Sequence, residues 1–421
     1  MKNTITLTII GLIFSLGNAQ EKLWSIQDCM DYAITNNLQI QQQSLLEQEA
    51  ELNIKDAKGA YLPDLNASAT RTWNETNNLS FRNSDYFVNT SIPIFNGFQN
   101  KNTLKSRKLE KSANQLVVAS AKDDIRINIA TSYLQILLAK ENLALLKKQY
   151  DITKKQIVLT TNLVEAGTNP KGDLLDLKAV AATDLQNIIT AENNVNIATI
   201  NVKQLLNLPF ESSFITEDIE VSFKEIALLD KPINEILNNV LTTRNEIKLA
   251  QENINIADQQ VQITKGSYLP VITGFASVGS SETNEFVQLS DNFRFRYGLN
   301  LNVPIFNRFA TKNAVSRSKV NSLRTQNELE QAKLRLTQNV YQTYLDAKAS
   351  KKSYEAAQVA VEAQELAYEY AQNRYQFGTS NSLDFSQAKL RLQNAETQLI
   401  QAKYSLLFQL KLLELYYSPK Q

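Results

Sequence analysis

The sequence predicts a mainly α fold with a membrane-type β part: duplicated long α-helical hairpins plus two β-hairpins per chain. Three observations carry this. The chain repeats itself, it holds two very long stretches free of glycine and proline, and in each copy the helical pattern gives way at the same place to a period of two.

The repeat comes first. Ser91-Ile92-Pro93-Ile94-Phe95-Asn96-Gly97-Phe98 returns as Asn302-Val303-Pro304-Ile305-Phe306-Asn307-Arg308-Phe309, 211 positions on. Lys58-Gly59-Ala60-Tyr61-Leu62-Pro63 returns as Lys265-Gly266-Ser267-Tyr268-Leu269-Pro270, and Gly167-Thr168 with Asp173 returns as Gly378-Thr379 with Asp384. Ordered repetition of such breakers marks one architecture built by duplication. The expected organisation is a signal peptide over 1–19, a first repeat over 20–209 with a hairpin at about 64–95, a linker over 210–231, and a second repeat over 232–421 with a hairpin at about 271–305.

The opening residues set the compartment. Lys2, an apolar run from Ile5 to Leu16 and the small-residue end Gly17-Asn18-Ala19 have the layout of a secretory signal peptide. The run is too short for a transmembrane helix, which needs about 20 apolar residues, and no later segment is apolar for that length. Cys29 stands past the expected cleavage site; as the single cysteine it forms no intrachain disulfide and reads as a part-buried, inert residue.

Composition narrows the function classes. With 44 Lys plus Arg against 43 Asp plus Glu, no basic field exists to attract nucleic acid. Histidine is absent and Met30 is the only methionine after the initiator, which removes the usual proton-transfer residue and most soft-metal ligand sets. Gly167 and Gly172 have phosphate-loop spacing, but Asp173-Leu174 follow where Lys-Ser/Thr is required and no strand precedes. The expectation is therefore no enzyme, no cofactor and no metal.

The helices are read from where breakers do not fall. Phe98–Ala166 and Phe309–Phe377 each contain 69 residues without glycine or proline. A helix of that length reaches about 100 Å at 1.5 Å per residue. Shorter clear stretches, Trp24–Lys58, Asp173–Leu208, Ile233–Lys265 and Thr379–Ser418, read as companion helices, one long and two shorter per half. Leu138, Leu145, Ile152 and Leu159 recur every seven residues, the period of a coiled-coil seam. The equivalent positions Ala349, Ala356, Ala363 and Tyr370 predict a closer helix approach in the second half.

Between Pro63 and Pro93, and again between Pro270 and Pro304, a period of two takes over. Phe293, Phe295, Tyr297, Leu299, Leu301 and Val303 fall on one face, with Asn292, Arg294, Arg296, Gly298, Asn300 and Asn302 on the other. The first copy carries Tyr86, Val88, Thr90, Ile92 and Ile94 against Asn89 and Ser91. The preceding strands, near Leu65–Asn74 and Val271–Ser280, alternate poorly and are read as strands through their partners. Such alternation suits a half-buried hairpin in a soluble sandwich, and equally a membrane strand of about a dozen residues with lipid on one side and water on the other. Aromatic richness, insertion between helices and secretion favour the membrane, with Tyr86, Phe87, Phe95, Tyr297 and Phe306 as interfacial anchors.

Four strands cannot close on themselves, and an open edge in lipid leaves backbone groups unpaired at several kcal/mol each. The barrel is therefore expected to be shared between chains. Two chains give eight strands and a filled interior, whereas three give twelve and a lumen. The polar residues Asn89, Arg294, Arg296, Asn300 and Asn302 suit a wet interior.

These features resemble the TolC-type outer membrane efflux proteins, over essentially the whole chain from Trp24 to about Tyr417. The resemblance rests on the Tyr-Leu-Pro ends at Tyr61 and Tyr268, the Pro-Ile-Phe-Asn ends at Pro93 and Pro304, and the turns at Gly167 and Gly378. It implies a homotrimer whose twelve-stranded barrel in the outer membrane continues as a periplasmic α-helical barrel. It implies a passive exit duct for small molecules, fed by an inner-membrane transporter through a periplasmic adaptor. Type I protein secretion uses the same duct, and a membrane-anchored coiled-coil adhesin is the alternative of a different class. By resemblance the adaptor docks at Gly167, Thr168, Gly378 and Thr379, Asp384 lines an acidic constriction, and Asp173 sits on the neighbouring hairpin where Tyr375 latches the closed tip. From the residues alone the two glycines are helix C-caps and the two acids favourable helix-start charges. Ser380 and Gln387 are departures: they stand where the best-known member of the family has a latch arginine and a second ring acid.

Overall fold

The structure, a computed structural model, describes residues 22–76, 79–218, 227–283 and 293–417. The expected signal peptide, residues 219–226 of the expected linker, and Asn292 lie outside the described residues. In chain order the elements are β1 (Leu23–Trp24), α1 (Ile26–Asn36), α2 (Leu38–Gly59), β2 (Asp64–Thr76), β3 (Leu79–Asn96), α3 (Gln99–Glu165), α4 (Lys171–Leu206), β4 (Ile215–Thr216), α5 (Ile233–Thr243), α6 (Asn245–Lys265), β5 (Val271–Thr283), β6 (Arg294–Asn302), α7 (Ala310–Gln376) and α8 (Ser382–Tyr417). The chain divides into two compact units, Met1–Ala33 with Ile129–Glu220 and Ile34–Asn128 with Val221–Gln421.

Both breaker-free stretches are single helices of 67 residues. Each shorter stretch that precedes a hairpin is not one helix but is cut in two, at Asn37 and at Arg244. Both residues leave the helix with nearly the same geometry, φ −69°, ψ 128° and φ −66°, ψ 132°. The chemistry differs. Asn37 restarts the helix as an N-cap, its side chain accepting from the amides of Gln39 and Ile40, as Asn favours. Arg244 forms no such cap; its buried guanidinium lies 3.8 Å from Asp123, which also accepts from Arg126 at 3.1 Å and from Asn245 at 3.0 Å.

In the first unit β1 pairs in parallel with β4, Leu23 against Ile215 and Trp24 against Thr216. Tyr133 on α3, fully buried, brings its hydroxyl within 2.7 Å of the carbonyls of both Trp24 and Glu217. Cys29 is wholly rather than part buried, and burial pushes its thiol up to about 12. Lys203 fixes the exit from α4, donating to the carbonyls of Phe210 and Ser212.

In the second unit the sheet order is β2-β3-β5-β6, antiparallel throughout. The helical core gathers Ile236 and Val240 of α5, Ile247 and Ile254 of α6, Leu336, Val340 and Ala347 of α7, and Leu406, Leu410 and Leu413 of α8. Tyr344 repeats the role of Tyr133 from 211 positions away: its hydroxyl reaches the carbonyls of Leu229 and Lys231 at 3.3 and 3.2 Å.

The heptad seam is not where leucine spacing put it. Of Leu138, Leu145, Ile152 and Leu159 only Leu145 is buried; the buried residues beyond it on α3 are Gln149, Thr153, Gln156 and Thr160. Thr153 donates to the buried carboxylate of Asp184 on α4 at 2.6 Å. Ala349, Ala356, Ala363 and Tyr370 are all exposed on α7. Other residues are turned to α8: Ser350 meets Ser405, and Tyr368 and Tyr375 meet Phe385. A helix carrying apolar residues on two stripes offers both to the same arithmetic, and the partner decides which is covered.

Candidate functional site

Two regions carry the chemistry: the faces of the four-stranded sheet and the turns after the long helices. Directly opposed residues in an antiparallel pair share a face, so the register sorts every strand residue. Asn66, Asn89, Ser277 and Arg296 form one row across the sheet; Ser68, Phe87, Gly279 and Arg294 form the next. Asn300 opposes Thr273 and Asn302 opposes Val271 on that same face. All five sequence-predicted polar residues therefore lie on one face, joined by Ser277, which donates to Asn89 Oδ1 at 2.7 Å.

The register adds residues that sequence alternation missed. Asp64 accepts from the amide and hydroxyl of Ser91, and Asp85 from the hydroxyl of Ser281, all on the polar face. β2 and β5 alternate too weakly to reveal them; only pairing with β3 does. It also corrects one anchor. Phe87 shares the parity of Asn89, so it faces the polar side, where its ring covers Gly279. Phe275 covers Gly298 in the same way.

The opposite face carries Phe295, Tyr297, Leu299 and Leu301, each more than 60% exposed. An apolar stripe this open in a chain is a surface for lipid or protein. Among the described residues no helix is long and apolar enough to cross a membrane. β2 and β6 are the edges of the sheet, and among the described residues neither has a second neighbour.

The two turns are built alike. Gly167 has φ +74° and Gly378 φ +69°. At the first, the amide of Gly167 donates to Val164 O and that of Thr168 to Leu163 O; at the second, Gly378 donates to Tyr375 O and Thr379 to Arg374 O. This is the αL helix terminus with crossed 6→1 and 5→2 bonds. The hydroxyls of Thr168 and Thr379 add a bond each to the same carbonyls, Leu163 and Arg374. A Cβ at either glycine would meet nothing within 4 Å, so glycine is needed there for its dihedral and not for space.

Asp173 and Asp384 occupy the first turns of α4 and α8, where a carboxylate faces the positive helix end. Asn169 donates to Asp173 at 3.3 Å and Ser380 to Asp384 at 3.3 Å, while Asn381 caps the amide of Asp384. Asp384 is exposed; Tyr375 is buried and stacks on Phe385 with ring centroids 5.3 Å apart. Tyr368 completes this ring pile, and burial raises its hydroxyl above the ordinary tyrosine value. Asp384 and Tyr375 belong to the second unit and Asp173 to the first.

A duplicated chain of long helices, with an open-edged sheet polar on one face and apolar on the other, defines a channel-type architecture. The family model for outer membrane efflux proteins matches residues 30–208 and 236–416, and the chain belongs to that family. It is 21% identical to the outer membrane protein TolC of Escherichia coli (strain K12) over 95% of this chain and 83% of that one. It is 22% identical to the proteases secretion protein PrtF of Dickeya chrysanthemi over 94% of this chain and 88% of the relative. The crystal structure of the outer membrane protein VceC from Vibrio cholerae superposes with a TM-score of 0.77 at 16% identity, covering 93% of this chain and 96% of that one. The fold is thus that of the outer membrane efflux channels, and the chain is an outer membrane protein whose family forms channels rather than enzymes.

Proposed function

We propose that this chain forms a homotrimeric channel-tunnel, the passive outer membrane exit duct for small molecules that an inner-membrane transporter delivers through a periplasmic adaptor. The observation that carries this is the four-stranded sheet, polar on one face, with the exposed apolar stripe of β6 on the other and, among the described residues, both edges open. Three copies supply twelve strands, close every edge and leave a lumen lined by Asn89, Arg294, Arg296, Asn300 and Asn302. The helices tell the same story. Leu334, Tyr341, Val359, Leu366, Tyr370 and Phe377 are exposed and, at 100° per residue, fall within an arc of roughly 40°, an apolar stripe along α7 and its C-cap that neighbouring copies would cover in a periplasmic helical barrel.

The reading extends to the two repeats over 20–209 and 232–421, with the leader at 1–19 and the linker at 210–231. It places Gly167, Thr168, Gly378 and Thr379 at the adaptor-docking tip, and Asp384, Asp173 and Tyr375 at the periplasmic gate. Type I protein secretion is the second reading, favoured by the likeness to PrtF; the same duct serves both. Mass determination in detergent tests the assembly and planar-bilayer conductance tests the pore. Export assays in a strain lacking its own duct, with small toxic compounds and with a secreted protease as cargo, separate the two readings. A detergent-free monodisperse monomer, or trimers without conductance, would end the proposal.

A further inference from the structure

The chain contains the template for its own contact with the next copy. β2 and β5 correspond with an offset of 207, set by Lys58-Gly59 and Lys265-Gly266; β3 and β6 correspond with an offset of 211, set by Pro93 and Pro304. The two hairpins obey these offsets to the residue. Asp64 opposes Ser91 and Val271 opposes Asn302; Asn66 opposes Asn89 and Thr273 opposes Asn300. Within the chain, the first hairpin joins the second through β3 and β5, with Asn89 opposite Ser277. The equivalent join from the second hairpin would run from β6 to a β2, and the β2 of the same chain is the far edge of the sheet.

We infer that β6 of one copy pairs antiparallel with β2 of the next in the register that the β3–β5 pair displays, with Asn300 opposite the neighbour's Thr70. This deepens the trimeric reading and rests on it. By the same offsets Asn302 opposes Ser68, Gly298 opposes Thr72 and Arg296 opposes Asn74. The chemistry is kept: the hydroxyl of Ser277 donates to Asn89 Oδ1, and Thr70 and Asn300 supply the same hydroxyl and the same amide.

Two features of the single chain that lack an internal reason follow from this. β3 continues to Asn96 because Phe95 and Asn96 pair with Ile272 and Val271, whereas β6 stops at Asn302 although residues 303–307 repeat 92–96. The second copy of the motif has no strand partner among the described residues, and Ile305 stands 95% exposed. Glycine at the end of α2 is the other. A Cβ on Gly266 would lie 2.5 Å from the carbonyl of Gly97, so Gly266 is glycine because Gly97, at φ +65°, passes close to it. The equivalents are Gly59 and Arg308; Arg308 has the matching φ of +54°, yet a Cβ on Gly59 meets nothing within 4 Å. In the paired register the neighbour's Arg308 carbonyl lies against Gly59.

The test is disulfide trapping in detergent-solubilised trimers with Asn300→Cys combined with Thr70→Cys, native Cys29 kept because it is buried, and each single variant as control. Directly opposed Cα atoms lie about 4.5–5.5 Å apart, within disulfide reach. A pair displaced by four residues adds roughly 13.6 Å along the strand and exceeds the roughly 7 Å limit. The monomer band should shift to covalent dimer and trimer for Asn300→Cys/Thr70→Cys, and stay monomeric for Asn300→Cys/Asn66→Cys and Asn300→Cys/Asn74→Cys. Trimers that cross-link only through a displaced pair overturn the register and leave the trimer standing. An unmodified protein that is monomeric in detergent overturns the trimeric reading itself. Asn300 and Thr70 are exposed in the chain, and a cryo-EM map of the unmodified trimer reads the same register without any substitution. Gly59→Val should convert trimer to monomer with helical circular dichroism unchanged; a variant as trimeric as the parent overturns the Arg308 contact.

Discussion

Removing one hydroxyl from each repeat should produce unequal effects at equivalent places. In Tyr133→Phe the ring still fills its buried site, and only the hydroxyl that touches Trp24 O and Glu217 O at 2.7 Å is lost. Trp24 O keeps its bond from the amide of Glu217 at 3.0 Å, so the penalty falls mainly on the carbonyl of Glu217. That carbonyl is part-buried, so losing its short bond costs about 1–1.5 kcal/mol, which corresponds to about 5- to 13-fold in a local opening equilibrium. In Tyr344→Phe the bonds lost measure 3.3 and 3.2 Å, at the long end of the range, and the expected cost is about 0.5–1 kcal/mol. Hydrogen exchange followed by mass spectrometry reads both. The amide of Glu217 should exchange faster in the first variant by the larger factor, and that of Lys231 in the second by only about 2- to 5-fold. Unchanged exchange at Glu217, or an effect at Lys231 as large as at Glu217, would show that bond length does not set the cost.

Gly378→Ala and Gly378→Leu should each destabilise the turn by about 1–2 kcal/mol, and by similar amounts, because φ is +69° and no atom lies within 4 Å of the new Cβ; exchange at the Thr379 amide measures it, and a far larger loss for Leu would reveal a hidden clash. Cys29 should alkylate in the native protein on the order of a thousandfold more slowly than a free thiol at pH 8, since its thiolate is scarce. Because the unfolded thiol loses its proton first, its contribution to stability falls as pH rises from 9.0 toward about 12; a Cys29→Ala variant with the same alkaline melting curve would contradict this. On the proposed trimeric reading, three copies of Asp384 around one axis would concentrate negative potential, so Asp384→Asn should reduce cation selectivity and multivalent-cation block together in planar bilayers; unchanged selectivity would make Asp384 a helix-start residue only.

Local chemistry was legible in the sequence. Glycine and proline cannot sit inside a long helix without cost, so their absence over Phe98–Ala166 and Phe309–Phe377 gave helices bounded within a residue or two of Gln99–Glu165 and Ala310–Gln376. The turn glycines were legible for the same reason, and so was the two-faced character of β6, because side chains alternate along any strand. What needed the tertiary structure was every choice between partners. Leucine spacing could not say which stripe of α7 meets α8. Nothing local to Arg244 marks a helix break; Asp123, distant in sequence, holds it. Phe87 looked like an anchor until pairing with Gly279 put it on the polar face. The faces of β2 and β5 exist only through register, since residues as small as Ala, Ser, Thr and Gly carry too little hydrophobic contrast to declare a side. Dihedral preference and periodicity belong to a residue and its near neighbours, whereas burial, register and the satisfaction of a buried charge belong to pairs of residues that only the folded chain brings together.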